Sequence, residues 1–125
     1  KSFIIYNVDA LEIYRTIYIC EGAINAETLG ENGIATGGKA VSRWQVNKFI
    51  KSQVEKFIIL IDPDAKDKAL DLAFKLVPFK KVKVVFLPDN EDVNSLGKQR
   101  TLEYVRETTY QTYQELLTIK SQLKL

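Results

Sequence analysis

A chain of 125 residues with 46% hydrophobic and 27% charged side chains has the size and balance of one compact globular domain, which excludes a disordered, collagenous or low-complexity protein. Eighteen basic against sixteen acidic side chains leave a formal charge of +2, so contact with a polyanion has to come from a local patch. A single cysteine, Cys20, and no histidine exclude an internal disulfide framework and remove the usual ligands of structural zinc. No apolar run approaches the roughly 20 residues that span a bilayer and no signal-peptide pattern opens the chain, so the expected setting is soluble and intracellular, without a membrane partner. The chain starts at Lys1, lacks methionine and enters the apolar segment Phe3-Ile4-Ile5-Tyr6 directly, as a domain cut from a longer polypeptide would.

In chain order, the pattern predicts a strand over Thr16 to Cys20, a helix over Ile24 to Glu31 and a strand over Gly33 to Thr36. A helix follows over Ser42 to Lys51, with Val46, Phe49 and Ile50 at helical spacing, and then a strand over Lys56 to Ile61. Ala69, Leu72, Ala73 and Leu76 define a third helix within Ala65 to Leu76, and Val82 to Leu87 reads as a fourth strand. Ser42 and Asp64 are placed as helix N-caps, and Pro78 closes the third helix. Alternation of this kind predicts an α/β domain with a roughly four-stranded parallel sheet flanked by helices, the apolar third and fourth strands lying centrally. Gln99 to Leu125 lacks Gly and Pro and is expected to form one helix of about 40 Å, packed on the sheet or leading to a neighbouring domain. The domain plan is therefore a core over 1–98 and a C-terminal helix over 99–125.

The acids carry the chemistry. Glu21-Gly22 follows the first strand, Asp62-Pro63-Asp64 the third, and Asp89 to Asp92 the fourth, so three acidic loops open at the carboxyl edge of a parallel sheet, where ligands bind. Crowded carboxylates repel unless a cation sits among them, and hard oxygen ligands select Mg²⁺ or Mn²⁺, whose remaining positions suit phosphate oxygens. Asp62 and Asp64 alternate along an extended segment and so can face one ion; alternatively Asp64 only caps the helix after it. Gly22, Gly37 and Gly38 allow close approach of a phosphate, and Lys39 and Arg43 lie just beyond to neutralise it. Trp44, among Lys39, Arg43, Lys48 and Lys51, reads first as half-buried core and second as a stacking platform for a base.

The ordered set Tyr18-Ile-Cys-Glu21-Gly22-Ala-Ile-Asn-Ala, Ile34-Ala-Thr-Gly37-Gly38, Ile59-Leu-Ile-Asp62-Pro-Asp64-Ala and Val85-Phe-Leu-Pro88-Asp-Asn-Glu-Asp92 resembles the Toprim domain of DnaG-type primases and of phage and mitochondrial primase-helicases. The resemblance spans roughly residues 16–97. It implies that Asp62 and Asp64 are metal ligands, that Glu21 is a metal ligand or general acid/base, and that Asp92, with Asp89, matches the further acids of primases. The implied reaction is nucleotidyl transfer, in which a 3′-hydroxyl attacks an α-phosphate to build RNA primers on single-stranded DNA from nucleoside triphosphates. Other domains of the parent protein or a replicative helicase would be partners in a bacterial or phage-infected cytoplasm, and the isolated fragment is expected to do little. The sequence departs from the family at Asn90, where a glycine often precedes Glu91, and at Asn94, where an acid is found, which weakens a second metal site. A Toprim nuclease of the overcoming-lysogenisation type and a non-catalytic interaction module remain open readings. A receiver-like signalling domain is a remote one, because its paired acids after the first strand are here Glu21-Gly22.

Overall fold

A computed structural model of the chain describes residues 4–38 and 40–125. Four parallel strands, β1 (Thr16–Cys20), β2 (Gly33–Ala35), β3 (Lys56–Leu60) and β4 (Lys81–Val84), form one sheet in the order β2-β1-β3-β4. Tyr18 lies between Gly33 and Ile58 in the register, and Ile59 opposite Val84. The alternation of each strand sends Ile17, Ile19, Phe57, Ile59, Val82 and Val84 to one face and Cys20, Ile58, Leu60 and Val85 to the other. Both faces are buried, as expected of a parallel sheet.

Helices cover the two faces unequally. The first face takes α2 (Arg43–Lys51), α3 (Lys66–Leu76) and α6 (Tyr113–Leu123), through Val46 and Phe49, Leu72 and Leu76, and Leu116. The second takes α1 (Ala23–Leu29), the single turn α4 (Val93–Leu96) and α5 (Lys98–Glu107), through Leu29, Leu96 and Val105. α1 sits so close on β2 that a Cβ at Gly33 would lie 2.3 Å from the Ala26 carbonyl oxygen. Ser42 caps α2 as expected, in a reciprocal box: its hydroxyl accepts the Gln45 N–H while the Gln45 side chain accepts the Ser42 N–H. The strand starts and most helix ends match the sequence within about two residues.

Three expectations are corrected. First, β4 is an edge strand, and β1 and β3 are central. Its exposed edge is closed by Gln111, whose N–H donates to Val82 O at 2.9 Å, while its side-chain carbonyl accepts the Val84 N–H at 2.8 Å and its amide donates to Val84 O. One residue thus does the pairing of a fifth strand. The opposite edge, at β2, is covered by an antiparallel bridge between Tyr6 and Ala35.

Second, 99–125 is not one helix. α5 packs on one face and α6 on the other, so the chain must cross the β4 edge between them, which a straight helix cannot do. Lys83 marks the break. Its buried ammonium donates to Val105 O and Thr108 O, both at 2.7 Å, satisfying carbonyls at the end of α5, and lies 4.7 Å from the centre of the Tyr110 ring. Thr112 then caps α6 in a second reciprocal box with Glu115. Third, Trp44 belongs to neither apolar cluster and is 38% exposed, because the turn of α2 that meets the sheet presents Gln45, Val46 and Phe49. Gln45 is fully buried, and its amide donates to Ile4 O and Thr36 O. Among the described residues no helix is long and apolar enough to cross a membrane.

Candidate active site

The ends of β1 and β3 adjoin because these strands pair along their whole length, and the residues that follow them open one cleft of about 680 Å³. Its walls include Glu21 and Gly22 after β1, Gly37 and Gly38 after β2, Asp62 and Asp64 after β3, and Asp67 and Lys68 on α3. The β2 loop is laced to β1: the Thr36 N–H donates to Cys20 O at 3.1 Å and the Gly37 N–H to Glu21 O at 2.8 Å. The chain then turns through Gly37 (φ 98°) and Gly38 (φ 81°), left-handed backbone that a side chain would strain.

Beyond β3, Pro63 starts a 3-10 turn, Pro63–Ala65, closed by the Ala65 N–H on Asp62 O at 2.8 Å, and α3 begins at Lys66. Neither the turn nor α3 takes a side-chain cap, so Asp64 is not the expected N-cap. Its carboxylate stands exposed at the cleft wall. The structure thereby removes the bland explanation for the second acid of Asp62-Pro63-Asp64.

Like charges meet here. Partial burial, then repulsion from Asp62 and Asp64, raises the Glu21 carboxyl above the usual carboxylate range, with the Lys68 ammonium in partial opposition. Burial, then repulsion from Asp92 and Asp64, raises Asp62 in the same direction. Burial, reinforced by Asp62 and Asp92, pushes the Cys20 thiol up to about 12, so the buried cysteine beside the cleft is protonated and inert. Four carboxylates therefore share one field at the rim, although Asp92 stands outside the cleft wall itself.

The donor set is all oxygen, which fits Mg²⁺ or Mn²⁺ and not zinc. Among the described residues no three of Asp, Glu and Cys converge closely enough to enclose an ion by themselves. That geometry suits a cation held by one or two carboxylates that leaves its other positions to water and phosphate.

The remaining expected residues spread out. Asp92 caps α4, accepting the Ser95 N–H at 2.8 Å, while its own N–H donates to Ser95 Oγ. Asp89 and Arg43 are exposed and not part of the cleft wall, and Lys39 lies outside the described residues. Asn90 has φ 64°, so the position that often carries glycine in primases keeps the left-handed backbone that glycine would take, with asparagine as the tolerated substitute. Three polar residues of the wall, Asn25, Asp67 and Lys68, were not singled out from sequence. Asn25 is buried, and its side-chain oxygen accepts the Asn94 N–H at 3.0 Å, tying α1 to α4; it lies within the segment after Glu21-Gly22 but no spacing sets it apart. Lys68 places its ammonium 3.7 Å from Glu21 Oε2, and its spacing of four from Asp64 was a usable signal, since such residues share a side of a helical turn.

No protein-family model matches the chain, and no curated protein does either. Solved structures do. The primase of Aquifex aeolicus, in a structure of its zinc-binding and RNA polymerase domains, superposes with a TM-score of 0.70 at 19% identity over 85% of this chain and 29% of that one. A DNA primase domain from Pseudomonas aeruginosa gives 0.63 at 24% identity over 78% and 34%. A DnaG primase catalytic domain bound to single-stranded DNA gives 0.68 at 20% identity over 85% and 40%. This chain thus spans 29–40% of the length of these three primase structures. At these identities the likeness establishes the fold: the sheet and its helices have the Toprim architecture found in the DnaG-type primase catalytic domain.

Proposed function

We propose that the chain is the metal-dependent catalytic core of a DNA primase, which joins nucleoside triphosphates into RNA primers on single-stranded DNA in the cytoplasm of a bacterial or phage-infected cell. The observation that carries this reading is the convergence of Glu21, Asp62 and Asp64 on one cleft at the carboxyl rim of a sheet with the primase fold, where burial and neighbouring carboxylates raise Glu21 and Asp62. Asp62 and Asp64, with Asp92 beside them, would hold Mg²⁺ or Mn²⁺. A bound divalent ion supplies the positive charge that orients a triphosphate and offsets charge developing at its α-phosphate.

Glu21 serves as a further ligand or as general acid/base. Its raised carboxyl favours proton transfer with the attacking 3′-hydroxyl, because a base works best when its affinity for the proton approaches the working pH. Gly22, Gly37 and Gly38 leave the backbone open to phosphate, since a Cβ built on any of them meets nothing within 4 Å. Residues 1–98 carry this chemistry, while 99–125 brace both faces of the sheet. Template-holding surfaces and contacts with a helicase belong to other parts of the parent polypeptide.

Primer synthesis by the parent polypeptide on a single-stranded template tests the reading. Asp62→Ala and Asp64→Ala should each lower synthesis by at least about 10²-fold while the circular dichroism spectrum is unchanged. Primer yields near those of the unsubstituted protein in either variant would sink the assignment.

A further inference from the structure

We propose that Lys68 is the phosphate contact of this cleft, a cation that pairs with Glu21 and would turn to the substrate once a divalent ion is bound; the proposal rests on the phosphoryl-transfer reading above. Its ammonium bridges two sides of the cleft, 3.7 Å from Glu21 Oε2 after β1 and 3.5 Å from Gly38 O after β2. Both distances exceed the 2.7–2.9 Å of a well-formed charge-assisted hydrogen bond. The side chain is also 37% exposed. Lys68 is therefore held loosely.

Two other lysines show what a structural ammonium looks like in this protein. Lys80 donates to Ser52 O and Val54 O at 2.8 and 2.6 Å, and Lys83 to two carbonyls at 2.7 Å. Each is pinned by main-chain oxygens at short range. Lys68 instead faces the carboxylate cluster with one long ion pair and one long contact to a carbonyl.

Charge decides what happens next. A divalent ion held at Asp62 and Asp64 beside Glu21 would set two like charges near each other, and the ammonium would lose its reason to stay on Glu21. Around it lies open space bounded by Gly22, Gly37 and Gly38, none of which would meet an atom within 4 Å if it carried a Cβ. A phosphate group entering that space brings the negative charge that the ammonium gives up at Glu21. No other cation among the described residues lines the cleft.

The test uses the chain as it stands, titrated with Mn²⁺ alone by the electron paramagnetic resonance of the free ion, and then with inorganic tripolyphosphate in the presence of Mn²⁺ by calorimetry. Lys68→Met should hold Mn²⁺ as tightly as the unsubstituted chain or more tightly, because nothing competes for Glu21, and should lose at least about tenfold in tripolyphosphate affinity. Lys68→Arg should restore most of that affinity. Unchanged tripolyphosphate binding in Lys68→Met overturns the proposal and leaves the metal site standing. A fall in Mn²⁺ affinity as well overturns it too, since Lys68 would then shape the acid cluster. An unsubstituted chain that holds Mn²⁺ but no tripolyphosphate has the same meaning, whereas one that holds no Mn²⁺ overturns the phosphoryl-transfer reading itself.

Discussion

The β4 edge and the carboxyl rim both take charged groups out of water, and they treat them in opposite ways. At the edge, Lys83 is buried, and burial together with nearby Lys56 lowers its ammonium below the usual lysine range. Two carbonyls at 2.7 Å and the Tyr110 ring answer that cost with partners from the chain itself. At the rim, Glu21 and Asp62 are half-buried beside more acids, and among the described residues the one ammonium on the cleft wall, the loosely held Lys68, answers Glu21. A charge that the fold satisfies is architecture; a set of like charges that the fold crowds together is waiting for something from outside.

The sharpest way to break this contrast is at the edge. Lys83→Ala removes both hydrogen bonds, takes the ammonium from Thr108 O and leaves Val105 O with only the Thr108 N–H, so unfolding in urea should show a loss of about 2–3 kcal/mol. A loss below about 0.5 kcal/mol would mean that Lys83 is not what holds the crossing between α5 and α6.

At the rim the sign reverses. Asp62→Asn removes a charge that repels its neighbours, and should raise stability slightly, by about 0.5 kcal/mol after solvent screening of half-exposed groups, or a degree or two in Tm. The sign with pH follows from the raised carboxyls of Glu21 and Asp62. Because their folded pKa lies above the unfolded one, the penalty is absent below about pH 4 and grows as pH rises through the folded values. The advantage of Asp62→Asn should therefore vanish in acid and be present at neutral pH; thermal melts at both pH values check it, and equal gains at both would contradict the repulsion.

The smallest effect expected is at Cys20. With its thiol pushed up to about 12 and its side chain buried, alkylation by iodoacetamide at pH 8 should proceed only as fast as the protein opens. Rapid labelling of the folded chain would show that the floor of the acidic rim is open to solvent.

Much of the architecture was readable in the residues. β1 was readable to the residue, and β3 and α2 nearly so, because a strand buried on both faces is an apolar run and an amphipathic helix repeats at its own period. The places of Glu21, Asp62 and Asp64 followed directly, since a residue after a parallel strand has to lie at the carboxyl edge. The helix break at 108–112 was missed because Gln99 to Leu125 carries no Gly or Pro, although Thr112 three residues before Glu115 is a capping-box signature and the apolar spacing lapses between Val105 and Tyr113. Nor was the edge position of β4, whose apolar run looked central because α5, Gln111 and α6 cover it from beyond the strand.

Sequence by itself determined the four strands, the first three long helices and which loops carry acid, because periodicity and loop position are local properties of the chain. Only the tertiary structure decided that Asp92, the cap of α4, would also repel Asp62, and that Lys68 would reach across to Glu21 and Gly38. Those outcomes depend on distances between segments far apart in sequence, and no local pattern encodes which ammonium will find which carboxylate.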